Sequence, residues 1–439
     1  MSASAEYDIN IIGAGFSGLM LLAHLVEQAN TPLHIAICDG SPHRWLGPAY
    51  ATQRLEHLLN VPANRMGAYP DKPEGFYIWL QSDAGLAARK TRNDKHVYSE
   101  GDFVPRCLYG DYLLTILAAT RALATTKNIH ITNIHHMVSA ITPVDQQYQI
   151  QAGEDTLTAA RIALCCGNPF HPADQRDWIT SPWQQDFAAI VKTKPRSITI
   201  LGTGLTAVDT IISLLDAAYN GPIDCYSRNG WLPQPHPRRA TMFDISPWLA
   251  KLHTPPHAKR LLNLRHAITG AATTNTHWQA VIDALRPHTI PQWQTYSVNE
   301  KKRFLARYFT LWNIHRHRMA PQLWDRLQHA RQSGQLRIHR ITATLKLNPP
   351  WQRADLVFDC TGPRYHTPAP IIASLLEHRL ITAHATGAGL SADAQNRVSS
   401  PAVPPIYAIG ALLLGEKLET TAVPELRHQT KQVAQALLS

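Results

Sequence analysis

The stretch Asp8-Ile9-Asn10-Ile11-Ile12-Gly13-Ala14-Gly15-Phe16-Ser17-Gly18 decides the fold, because it sets an apolar strand directly before a Gly-x-Gly-x-x-Gly turn that opens a helix. Apolar periodicity predicts a strand over 7–12, a helix over 16–29 and a second strand over 33–39, which together make a βαβ unit. A second copy, Gly202-Thr203-Gly204-Leu205-Thr206-Ala207, follows Ile198–Leu201 and leads to a strand that ends near Ser227. In such units the first glycine permits a tight turn and the second lets a pyrophosphate approach the backbone. The helix N-terminus adds N–H donors and the positive end of its dipole. The chain is therefore read as α/β, with two Rossmann-like dinucleotide-binding domains.

The copies differ in the charge that follows them. Counting twenty-six residues on from the first glycine reaches Asp39 in one copy and Arg228 in the other. At that strand end a carboxylate hydrogen-bonds a free ribose 2′-OH, whereas an arginine accommodates a 2′-phosphate. The expected cofactors are FAD, on Gly13, Gly15, Ser17, Gly18 and Asp39, and NADPH, on Gly202, Gly204, Leu205, Thr206, Ser227 and Arg228.

Working outward, the segment 41–103 is rich in Pro and aromatics and reads as a wrapping region, followed by a helix over 110–124 and a strand over 129–132. Alternating apolar residues in 137–164 predict an antiparallel excursion ending at Cys166-Gly167-Asn168-Pro169. From 245 to 333 the pattern is largely helical; strands return at 336–340, 354–360 and 405–410, and a helix closes the chain over 424–438. The expected division is an FAD-binding part over 1–195 and an NADPH-binding domain over 196–354, whose helical insert spans about 240–335. A C-terminal FAD-binding part over 355–439 completes it.

The chain has 439 residues, 44% of them hydrophobic, and a formal charge of +10, which favours anionic partners. No helix-turn-helix, zinc-finger or RNP pattern is present, so dinucleotide phosphates and an anionic small substrate are expected rather than nucleic acid. The run Ile9–Val26 is split by glycines and lacks a basic leader, so no membrane span is expected. The six cysteines (38, 107, 165, 166, 225 and 360) include no CxxC pair, which fits a reduced, cytoplasmic setting and no disulfide framework. In His315-Arg316-His317-Arg318 the histidines are two apart on a helix and point to different sides, so no metal site is expected. Arg316, Arg318 and His236 are candidate contacts for a carboxylate substrate or for the NADPH phosphates, where the planar fork of arginine is useful.

The chain resembles the two-dinucleotide-binding flavoproteins, and within them a bacterial group of FAD/NAD(P)-binding proteins similar to class B and N-hydroxylating flavin monooxygenases. The stretches that carry this resemblance are Leu58-Leu59-Asn60-Val61-Pro62-Ala63-Asn64-Arg65-Met66, Phe103-Val104-Pro105-Arg106 with Tyr109-Gly110-Asp111-Tyr112, Trp312–Met319 and Glu419–Arg427. The resemblance implies that 58–66 lies against the flavin, with Asn60, Arg65 and Met66 as contacts, and that Arg106 belongs to the cofactor site. It also implies that Cys166-Gly167 and Thr361-Gly362 are strand-ending turns where the chain passes between domains, and that Gly410 leads a helix N-terminus towards the flavin. Gly410-Ala411 stands where the wider superfamily has Gly-Asp.

The missing cysteine pair disfavours a disulfide reductase. The expected activity is an FAD-dependent, NADPH-oxidising monooxygenase that uses molecular oxygen on a small, anionic metabolite. Oxygen transfer to a nitrogen, as in N-oxygenation of an amino acid, is one candidate reaction, and transfer to sulfur or to a ketone carbon stays open. Two alternatives stay open on the sequence: an NADPH-dependent flavoprotein reductase passing electrons to a quinone or protein acceptor, and a non-catalytic nucleotide-binding sensor.

Overall fold

The computed structural model describes residues 5–168, 179–183, 185–239, 241–253, 266–270, 277–342, 344–345, 349–363, 369–401 and 403–439. Pro169 of the strand-ending turn, and the stretches 254–265 and 271–276 of the helical insert, lie outside the described residues.

Two compact units share the chain, one formed by 1–55, 61–171 and 363–439, the other by 56–60 and 172–362. In the first unit, β1 (Ala5–Ile12) pairs in parallel with β2 (His34–Cys38) on one side and β6 (Asp155–Leu164) on the other. Beyond β2 lies β3 (His130–Ile134), also parallel. Ile9, Asn10 and Ile11 are fully buried, as a central parallel strand covered on both faces must be. Helix α1 (Phe16–Gln28) packs against α5 (Arg106–Thr126) and the C-terminal α14 (Val423–Leu438). The expected antiparallel excursion is β4 (Val138–Val144) and β5 (Gln147–Ala152), which return through β6. Near its C-terminal end β6 also pairs with β12 (Ile406–Ala408). Tyr148, Ile150, Leu157 and Ile162 form a core there, under α13 (Pro370–Glu377). The wrapping segment contains three short helices: α2 (Gly47–Tyr50), α3 (Gly75–Gln81) and α4 (Asp83–Thr91).

The second unit holds a parallel sheet in the order β10-β9-β8-β11-β7, made of Leu336–Arg340, Ile223–Ser227, Ile198–Leu201, Leu356–Asp359 and Ile179–Thr180. The short α6 (Phe187–Lys192) precedes β8, and α7 (Leu205–Asp216) follows its glycine turn. The sequence puts a boundary before residue 355; in the structure Leu356–Asp359 lies inside this second sheet, and the compact unit runs on to Gly362. The insert is helical where described: α8 (Ser246–His253), α9 (Trp278–Gln294), α10 (Val298–Arg307), α11 (Phe309–Arg316) and α12 (Pro321–Gln332). Helix α10 opens with a capping box in which the Ser297 hydroxyl and the Glu300 carboxylate each accept a hydrogen bond from the other's backbone N–H. No helix among the described residues is long and apolar enough to cross a membrane.

Candidate functional site

Each glycine turn is held open by the strand beside it. Gly13 has φ +98°, and a Cβ there would stand 2.4 Å from the Cys165 carbonyl oxygen. Gly202 has φ +111°, and its Cβ would stand 2.1 Å from the Cys360 carbonyl oxygen. Backbone bonds repeat the arrangement: Cys165 N donates to Ile12 O at 2.8 Å, and Cys360 N to Leu201 O at 2.7 Å. Only glycine fits either position. Gly18 is equally constrained, with a Cβ 2.0 Å from the Gly13 carbonyl oxygen, as expected of the glycine that lets helix and strand pack closely. Gly15 and Gly204 differ, because a Cβ on Gly204 would meet nothing within 4 Å and one on Gly15 only ordinary contact with Gly47. These two cap α1 and α7, and no side chain caps either helix N-terminus. Open space beside the cap and first-turn amides without a side-chain acceptor fit a dinucleotide pyrophosphate at both turns.

Asp39 lies at the end of β2, against the first turn. One carboxylate oxygen accepts from Ala14 N at 2.6 Å and the other from Ser41 N at 2.6 Å. Trp45 N donates to the Ala14 carbonyl, so the 41–45 stretch clasps the turn. The carboxylate is thereby fixed beside the turn, where a ribose hydroxyl could donate to it.

The strand pairing corrects the equivalence of Asp39 and Arg228. Ile12 pairs with Cys38, and Gly13 N donates to Cys38 O at 2.9 Å. In the second unit Leu201 pairs with Tyr226, and Gly202 N donates to Tyr226 O at 2.8 Å. Cys38 therefore corresponds to Tyr226, and Asp39 to Ser227. The connection from the second turn to its strand is one residue shorter than in the first, so an equal count overshoots by one. Arg228 is exposed, one residue beyond the matched position. Ser227 Oγ accepts from Gly230 N at 3.0 Å and lies 2.9 Å from Thr203 Oγ1, which donates to the Trp231 carbonyl at 2.6 Å. Thr203, which the sequence reading did not single out, thus ties the turn to the strand end. A hydroxyl replaces the acid at the matched position, followed by a cation; this fits a phosphorylated ribose better than a free one.

The remaining predicted residues fall into three groups. Gly167 (φ +69°) and Gly362 (φ +81°) occupy matching positions after β6 and β11, each with open space where a side chain would be. In the first unit, Ala63 N and Asn64 N donate to Asp102 O and Glu100 O, which pins the stretch around Arg65 and Met66. Met66 is buried and Arg65 exposed. Asn64 Oδ1 is buried and has no hydrogen-bond partner among the described residues, an orphan acceptor that the sequence reading passed over. Arg106 is the first residue of α5 and is largely buried, placing a cation where the helix dipole favours anions. Gly410 N donates to Gln429 Oε1 at 3.0 Å, and its carbonyl accepts from Thr420 Oγ1 at 2.9 Å. Both its backbone groups are engaged by the 419–429 region, which makes Gly410 a pivot for α14. Arg427 of α14 donates to Gly67 O at 2.9 Å, linking that helix to the loop after Met66.

Asn60 and His236 come together in the second unit, where His236 Nε2 lies 2.8 Å from the Asn60 carbonyl. His57 Nε2 lies 2.8 Å from Ser213 Oγ of α7, a further contact of the segment 56–60 within this unit. His236 N also donates to Met319 O at 2.9 Å. Arg318 is 2% exposed, donates from Nη2 to Asp283 Oδ1 of α9, and has its guanidinium 5.9 Å from the centre of the Trp278 ring. Arg316 is buried at the end of α11.

All six cysteines are free thiols. Burial pushes Cys166 and Cys360 each up to about 12 and holds Cys165 well above the ordinary thiol value. Thiols protonated at neutral pH are poor nucleophiles for disulfide exchange.

Residues 10–169 match the FAD-NAD(P)-binding family model. No curated protein sequence matches the chain. Among solved structures, the reduced form of an ornithine hydroxylase from Pseudomonas aeruginosa is similar with a TM-score of 0.62 at 16% identity, covering 99% of this chain and 99% of that one. The FAD-bound cadaverine monooxygenase of desferrioxamine biosynthesis from Erwinia amylovora gives 0.62 at 15% identity, covering 99% of this chain and 95% of that one. A bacillithiol disulfide reductase from Staphylococcus aureus gives 0.54 at 10% identity, covering 99% and 98%. The chain shares the overall fold of these structures, and its residues 10–169 are similar to the FAD-NAD(P)-binding family.

Proposed function

We propose that the chain is an FAD-dependent, NADPH-oxidising monooxygenase that N-oxygenates a small amine, with an amino acid as the favoured substrate. The observation that carries this reading is the pair of glycine cradles, one beside a carboxylate at Asp39 and the other beside the Ser227 hydroxyl, which Arg228 follows in sequence. Full-length similarity to an ornithine hydroxylase and a cadaverine monooxygenase supports the amine, and the surplus of +10 charge supports a substrate bearing a carboxylate. The six protonated, unpaired thiols weigh against the disulfide-reductase branch that the fold also contains.

Gly15 and the N-terminus of α1 would receive the FAD pyrophosphate, while Asp39 accepts a ribose hydroxyl. Gly204 and the N-terminus of α7 would receive that of NADPH, with Ser227 and Arg228 on the 2′-phosphate. Flavin, when bound, accepts hydride and activates oxygen, so the protein's task is binding, orientation and exclusion of water.

The test is anaerobic NADPH titration of the purified yellow protein, followed by aerobic turnover with ornithine, lysine and cadaverine as probes. The reading expects bleaching of the flavin band by NADPH and an oxygen-dependent hydroxylamine product. Turnover with quinone acceptors but no amine product would instead support the reductase, and a flavin that NADPH leaves oxidised would support the sensor.

A further inference from the structure

Strand β10 places an arginine beside the second cradle that the functional reading does not use. Arg340, the last residue of β10, pairs in parallel register with Ser227, the last residue of β9. Register partners on adjacent strands point to the same face. On the opposite face of this strand pair the side chains engage one another: Asp224 takes a hydrogen bond from Arg337 at 2.6 Å and lies 2.7 Å from His339 Nε2, and the His339 ring stacks on Tyr226 with centroids 4.6 Å apart. Ser227 and Arg340 therefore share the other face, and Ser227 shows which one that is, because its hydroxyl meets Thr203 in the glycine turn.

The chain around Arg340 is pinned to the end of β9. Ile341 N donates to Ser227 O at 2.8 Å, and a Cβ on Gly230 would lie 3.5 Å from the Arg340 Cβ. Arg340 and Arg228 are both exposed, and neither has an acidic or hydrogen-bond partner among the described residues. Two exposed arginines thus stand next to Ser227 at the carboxyl edge of the sheet, Arg340 by strand register and Arg228 by sequence.

We propose that Arg340 is the second arginine of an adenosine 2′-phosphate subsite, acting with Ser227 and Arg228 to select NADPH over NADH. The proposal rests on the NADPH reading above. A 2′-phosphate at this edge takes one hydrogen bond from the Ser227 hydroxyl and charge-assisted bonds from the guanidinium groups of Arg340, at the end of β10, and Arg228, just past the end of β9. Such paired anchoring suits a dianion and has no counterpart for a bare ribose.

The test is calorimetric titration of full-length, FAD-loaded protein with adenosine 2′,5′-bisphosphate and with adenosine 5′-monophosphate. The wild type should prefer the bisphosphate. Arg340→Ala should weaken the bisphosphate at least about tenfold and leave the monophosphate within about twofold, since a charge-assisted bond is worth a decade or more of affinity. Arg340→Lys, which keeps the charge, should recover part of the preference. A wild-type preference that survives in Arg340→Ala overturns the role of Arg340 and leaves the NADPH reading intact. Equal weakening of both ligands also overturns it, as the mark of a merely structural residue. Equal wild-type affinity for the two ligands overturns the NADPH reading and the subsite with it.

Discussion

Gly13 and Gly204 belong to equivalent motifs, yet the structure sets them opposite constraints. Gly13 combines a left-handed φ with a carbonyl oxygen 2.4 Å from where a Cβ would stand, so Gly13→Ala is strained whether or not a ligand binds. The expected loss is about 2–4 kcal/mol, seen as a fall of roughly 5 °C or more in the melting midpoint of the ligand-free protein. Gly204 faces open space at an ordinary φ. Gly204→Ala should melt within about 1 °C of wild type while binding NADPH at least about tenfold more weakly, because the methyl occupies the ground a pyrophosphate needs. A large melting shift in Gly204→Ala, or unimpaired NADPH binding, would remove Gly204 from the cofactor surface. The thiols answer to burial in the same local way. With Cys166 pushed up to about 12 by desolvation, its reactive thiolate is scarce at pH 8.5 and grows only as pH approaches that value. Iodoacetamide at pH 8.5 should therefore leave Cys166 of the folded protein unlabelled and modify it fully in denaturant; fast labelling of the native thiol would reopen the thiol-based alternative.

At the scale of elements, what could be read in advance was whatever is encoded locally. Ile9–Ile12 followed by Gly13 and an apolar helix is a contiguous signal, and β1, α1 and β2 lie where that signal puts them. The identity of the acid's counterpart was not legible, because it depends on how α7 connects to β9. A connection one residue shorter moves Ser227 into register with Asp39, and only strand pairing reveals it. The insert shows the same divide. Its helical character was plain in the spacing of Trp278, Val281, Ile282 and Leu285, although α9 also contains Pro287 and Pro291. The tertiary pairing of Arg318 with Asp283 left no mark in the sequence, since thirty-five positions separate the partners. That pairing gives Arg318 a structural role. Arg318→Ala should destabilise the second unit by about 2–4 kcal/mol, the cost of breaking a largely buried pair discounted for the exposure of Asp283. Asp283→Ala should do comparable damage, and the double variant should cost less than the sum of the two. If substrate KM rises in Arg318→Ala while Asp283→Ala leaves both stability and KM untouched, the arginine serves the substrate instead.

For the whole molecule, chain order and structural membership part company at the segment Glu56–Asn60. It leaves the first unit after Leu55, joins the second for five residues, and the chain returns to the first at Val61. Among the contacts that hold it there are His57 Nε2 with Ser213 Oγ and His236 Nε2 with the Asn60 carbonyl, both at 2.8 Å. Ser213 is fully buried on α7, the helix whose N-terminus opens the second glycine turn. Because a ligand stabilises only the unit that binds it, saturating FAD and NADP+ should raise different transitions in calorimetry. Replacing His57 with Phe removes a partner from a buried hydroxyl, a loss of about 1–3 kcal/mol, or a few degrees for a unit of this size. The drop should appear in the transition that responds to NADP+, although residue 57 lies in sequence between the first glycine turn and the rest of the first unit. A drop confined to the FAD-responsive transition would return the segment to the first unit. In that case His57 would be one more residue of the wrapping region.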